Sequence, residues 1–79
     1  NPSTTIEFTL LHDAHLELTI YDARGRTVKN LINEKRFSGK SSIQWNAKDN
    51  HGQKVSSGIY FLVMNAGDFK KTNKMIFLK

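Results

Sequence analysis

The chain has 79 residues, 38% of them apolar and 24% charged, with no cysteine and a formal net charge of +5. That length allows one domain burying only about 60% of its unfolded surface, so every large apolar residue counts towards stability. The composition excludes a disordered chain, a disulfide framework and a thiolate metal site, and no run approaches the roughly 20 apolar residues of a membrane helix.

The absence of cysteine leaves the compartment open. A positive balance suits acidic partners, but lysine and arginine are spread along the chain, with short pairs only at Lys35-Arg36 and Lys70-Lys71. That spread reads as a solvated basic surface and not as a nucleic-acid footprint. No signal peptide is visible. The abrupt start at Asn1-Pro2 leads us to expect a fragment of something longer, and residues 1–79 are read as a single domain.

In chain order, Thr4 to Leu10 alternates strictly, with Ile6, Phe8 and Leu10 on one face of a half-buried strand. Leu11 to Ala14 turns the chain. Leu16, Leu18 and Ile20 then face inward, with His15, Glu17, Thr19 and Tyr21 outward. Asp22 to Arg26 forms the next turn, where Gly25 supplies the left-handed residue of a hairpin. In Thr27 to Asn33, Val28, Leu31 and Ile32 fit a helix as well as a bulged strand. The window is short and its neighbours are strands, so a strand is expected. Glu34 to Ser41 reads as a charged loop, and Ser42 to Asn46 as a strand with Ile43 and Trp45 inward.

The stretch from Trp45 to Phe61 organises the second half of the chain. Asp49-Asn50-His51-Gly52 is a tight turn, because Asp and Asn bond their own backbone and Gly takes a positive φ at no steric cost. Ser56-Ser57-Gly58 is a second break, and Ile59 to Met64 is apolar on both faces, as a central strand would be. After a turn at Asn65 to Asp68, Phe69 to Lys79 makes the last strand, basic first and apolar later. The sum is an all-β antiparallel sandwich of about seven short strands in two sheets.

Candidate chemistry is sparse. His12, Asp13 and His15 lie close in sequence, but a His-x-x-His pair at a strand junction divides its rings between faces. Asp49, Asn50 and Gly52 lack the acidic spacing and terminal Glu of a calcium loop. No glycine-rich phosphate loop or nucleophile elbow occurs, and the acids sit at turns or on outward strand positions. No metal, cofactor or catalytic residue is expected, and the chain is read as a non-enzyme. Tyr21, Phe37, Tyr60 and Phe69 are weighed as a stacking platform for sugars or bases and read in preference as core or sheet-pairing residues.

These motifs together resemble a known family. Asn1-Pro2-Ser3-Thr4-Thr5-Ile6 resembles its opening, and Leu18 to Val28, with Asp22 and Gly25, its first turn. Trp45-Asn46, Asp49, Gly52, Val55, Gly58, Ile59 and Tyr60 resemble its central signature, and Lys74-Met75-Ile76-Phe77-Leu78-Lys79 its end. The family is the type A C-terminal sorting domain of bacterial type IX secretion, a structural relative of the Ig-like domain of the flagellar hook-capping protein. The resemblance implies an Ig-like or fibronectin-like β-sandwich that takes its parent protein through the outer-membrane translocon. It implies as partners the outer-membrane secretion machinery and an N-terminal catalytic or adhesive domain, with no nucleic acid and no membrane insertion. The implied location is the exterior or outer surface of a Gram-negative bacterium, reached via the periplasm. Lys74, Met75, Ile76, Phe77, Leu78 and Lys79 are where it would place translocon recognition. The alternatives are an accessory Ig-like carbohydrate-binding or spacer module of a secreted glycoside hydrolase, with Tyr21 and Tyr60 on the sugar, and a flagellar cap or scaffold domain.

Overall fold

Alternation at period two puts three apolar rows on one side of their strands, and those rows meet in one core. The structure, a computed structural model, describes residues 3–78; the Asn1-Pro2 element and Lys79 lie outside the described residues. The strands are β1 (Thr4–Leu10), β2 (Ala14–Asp22), β3 (Thr27–Arg36), β4 (Gly39–Trp45), β5 (Gly58–Ala66) and β6 (Phe69–Phe77). All pairings are antiparallel: β1 pairs with β4 in a two-stranded sheet, and the larger sheet has the order β3-β2-β5-β6.

The core rows are Ile6, Phe8 and Leu10 from β1, Leu16, Leu18 and Ile20 from β2, and Tyr60, Leu62 and Met64 from β5. Leu16, Leu18 and Ile20 are the largest fully buried side chains, each stabilising the fold by about 1.5–3 kcal/mol relative to exposure. β5 is central, with β2 on one side and β6 on the other. Its second apolar row, Ile59, Phe61 and Val63, lies on the outer face, where Ile59 is 40% exposed.

Three expectations need correction. Six strands are described where about seven were expected; between β4 and β5 only an isolated bridge, Lys48 to Lys54, forms. The charged stretch expected as a loop over 34–41 is mostly strand. β3 runs on to Arg36, β4 starts at Gly39, and Phe37-Ser38 alone connect them, with the Ser38 amide donating to Asp13 Oδ1 at 2.7 Å. Glu34 and Lys35 hide the strand because both of its faces are wet there, leaving no alternation to read. Ala14, expected in a turn, opens β2.

The ambiguous spacing in β3 has a clear cause. Leu18 pairs with Ile32 and Thr19 with Asn30, which skips Leu31; Ile20 pairs with Lys29 and Tyr21 with Thr27, which skips Val28. Each skipped residue is a β-bulge, and two bulges three residues apart imitate helical spacing.

Candidate functional site

One turn is built twice. In the β2–β3 hairpin, Asp22 Oδ1 accepts from the amides of Arg24 and Arg26, both at 2.9 Å, while the Gly25 amide donates to the Asp22 carbonyl at 3.0 Å. Between β4 and β5, Asp49 Oδ1 accepts from the amides of His51 at 2.9 Å and Gln53 at 3.0 Å, and the Gly52 amide donates to the Asp49 carbonyl at 3.0 Å. Gly25 and Gly52 have φ of 84° and 81°, a conformation that costs a side chain-bearing residue about 1–2 kcal/mol. The Arg26 amide, aided by its guanidinium and the Arg24 amide, holds the Asp22 carboxyl below the usual carboxylate range, against desolvation. The Gln53 and His51 amides do the same for Asp49. Both carboxylates are therefore engaged by backbone, and their work is to fix loops.

The second turn is docked onto β3. The Asn50 amide donates to the Val28 carbonyl at 2.9 Å, the Asn30 amide donates to Asn50 Oδ1 at 3.0 Å, and Asn50 Nδ2 donates to Asn30 Oδ1 at 2.9 Å. Val28 is a bulged residue skipped by the β2 ladder. The 47–55 segment therefore covers the first half of the β3 edge.

Trp45 is 2% exposed; its Nε1 donates to the Lys48 carbonyl at 2.9 Å. Its ring lies edge-on to Tyr60 at 5.7 Å and tilted to Phe77 at 6.2 Å. The Tyr60 hydroxyl donates to the Ser56 carbonyl at 2.6 Å, four residues upstream. This is a tyrosine corner, a device of Ig-like sandwiches that fixes where a strand begins. The residue types suggest a core or sheet-pairing role for Tyr60 but not the corner, because its acceptor is a backbone carbonyl that no residue type announces. Gly58 opens β5 beside it.

The aromatic platform does not assemble. Tyr60 is buried, Tyr21 lies on the outer face of β2, and Phe37 is 78% exposed in the β3–β4 connection. His15 Nε2 is hydrogen-bonded to Asn33 Oδ1, and Asp13 serves Ser38. Among the described residues no group of three His, Asp or Glu is arranged to hold a metal.

The C-terminal segment divides by face. Met75 and Phe77 pack against the core, while Ile76 and Leu78 are 68% and 76% exposed and Lys74 is exposed beside them. Ile76 pairs with Ile59, and Lys74 with Phe61, so the exposed row continues the outer apolar row of β5. β6 pairs with β5 alone and is the free edge of the larger sheet. Six of its nine residues, Phe69 to Lys74, are exposed.

A tyrosine corner, an aromatic inter-sheet core and two antiparallel sheets define an Ig-like β-sandwich. The family model described as the FlgD Ig-like domain matches residues 2–69, and the chain belongs to that family. The crystal structure of FlgD from P. aeruginosa has the same fold, with a TM-score of 0.73 at 20% identity over 92% of this chain. The chain spans 57% of the length of that FlgD chain. No curated protein matches it.

Proposed function

We propose that this Ig-like domain is a non-catalytic C-terminal sorting module, which directs a parent protein through the type IX outer-membrane translocon to the surface or exterior of a Gram-negative cell. The observation that carries the reading is β6. Its inward residues Met75 and Phe77 anchor it to the core, which leaves Lys74, Ile76 and Leu78 displayed on a free sheet edge. A strand held on one side and open along its edge offers main-chain groups to a partner strand and side chains to set specificity. The partner is the secretion machinery, and the passenger is the catalytic or adhesive part of the parent. The double change Ile76→Glu and Leu78→Glu touches only exposed positions, so the domain folds. Fused to a periplasmic reporter, the native domain exports it and the variant leaves it in the periplasm. Export of the variant at the native rate would refute the reading.

A second reading, a structural module of a flagellar hook assembly, is favoured by the family match over residues 2–69. It expects co-purification with hook components and no effect on reporter export. The carbohydrate-binding alternative is weakened by Tyr60, which lies in the core with its hydroxyl committed to Ser56.

A further inference from the structure

The two sheets of the sandwich are unequal, and the difference leaves a place for a strand. Phe69, Lys71 and Asn73 pair with Ala66, Met64 and Leu62, whose side chains are buried, so these three β6 residues stand on the core side of the sheet. All three are nevertheless exposed, Phe69 by 53%, because the two-stranded sheet does not extend over them. A groove of about 340 Å³ lies there, with β1 residues Ile6 and Phe8 on one wall, Phe69 and Lys71 on the other, and Leu62 and Met64 beneath. An apolar cavity of about 380 Å³, sharing Thr9, Met64 and Phe69 with it, extends the trough past Leu10 to Leu11. Among the described residues β1 pairs only with β4, so its other backbone edge is open alongside.

An open edge above an apolar floor is the geometry of strand addition: main-chain bonds form along the edge and alternate side chains fill the floor. Charge narrows the occupant. Lys40 and Lys71 line the groove against one carboxylate, Glu7, and none of the three takes part in the ion pairs of the described residues, Arg26–Asp22 and Arg36–Glu34. β6 adds Lys70 and Lys74 and contains no acid. A second copy of this chain, with its own net charge of +5, meets repulsion.

We infer that the β1 edge is an acceptor site for an extended segment of an acidic protein, bound as an added strand with apolar residues inward at alternate positions and carboxylates near Lys40 and Lys71. The inference stands on the fold and not on the export reading.

The test is a capped seven-residue peptide of alternating valine and glutamate, titrated into the 15N-labelled protein, beside a control with lysine for glutamate. The acidic peptide shifts and protects alternate β1 amides that face away from β4, and the lysine peptide binds at least about five-fold more weakly. Lys71→Glu, an exposed change that leaves the fold intact, reverses the preference. No shift of β1 amides at millimolar acidic peptide overturns the inference, as do shifts confined to β3 or equal binding of both peptides. Concentration-dependent protection of β1 without peptide also overturns it, by naming a second copy as the occupant. So does a longer form of the protein in which residues ahead of Asn1 already protect that edge and exclude the peptide.

Discussion

Removing one oxygen tests the corner that starts β5. Tyr60→Phe keeps the ring against Trp45 and deletes the hydroxyl that donates to the Ser56 carbonyl at 2.6 Å. A net hydrogen bond contributes about 1 kcal/mol, and the carbonyl left behind belongs to an exposed residue that water can reach, so the loss should stay at about 1–1.5 kcal/mol. In a domain this small that lowers the melting temperature by about 4–12 °C. It moves the urea midpoint by about 1 M if the slope is about 1 kcal/mol per M. Trp45, the only tryptophan, lies 5.7 Å from the altered ring, so its fluorescence reports the transition directly. The slope of the urea transition should not change, because the surface exposed on unfolding does not. A midpoint within about 0.2 M of the native protein would show that the corner contributes nothing, and a loss above about 3 kcal/mol would mean that the ring itself had moved.

Acid stability should follow the two Asp turns. The folded-state values of Asp22 and Asp49 are depressed, so their contribution is complete above the unfolded value of about 3.9 and is lost as pH falls through the folded values. The double variant Asp22→Asn, Asp49→Asn keeps the Oδ1 acceptors and should show a shallower loss of melting temperature from pH 5 to 2; an unchanged slope would contradict this. Ala47 has a φ of 61° and is 4% exposed. Ala47→Gly relieves about 1–2 kcal/mol of backbone strain. It gives up about 0.8 kcal/mol of methyl burial and about 0.4–1 kcal/mol through the freer unfolded chain, so its thermal midpoint should lie close to native. Ala47→Val, branched where φ is positive, should lower the midpoint by about 8 °C or more.

The fold is legible in the sequence wherever burial is one-sided. Ile6, Phe8 and Leu10, and then Leu16, Leu18 and Ile20, alternate between core and water, and both rows are legible at once. The two Asp-to-Gly turns are legible for a local reason, since acceptor and donor lie within four residues. The end of β3 was not, because Glu34 and Lys35 meet water on both faces and the strand is fixed by its pairing with Leu16 and His15. The docking of Asn50 on Asn30 spans twenty residues and depends on a bulge, which composition does not signal. In the C-terminal segment the pattern gave a strand but not its division, in which Phe77 reaches Trp45 while Ile76 stays in water. The groove beside β1 was equally hidden, because residue types do not show that the two-stranded sheet leaves Phe69 and Lys71 uncovered on the core side of β6.

The two edges of the larger sheet differ in what they permit. β3 carries two bulges, charged residues along its second half and a docked turn along its first, whereas β6 runs nine residues in unbroken register with β5. Growth of that sheet by identical molecules would need a head and a tail. This sheet has only one joining end, so two copies meeting β6 to β6 would finish the assembly they began. Through this sheet alone, copies forced together against the repulsion of Lys70, Lys71 and Lys74 would stop at pairs, where a two-edged sheet would run on into fibres.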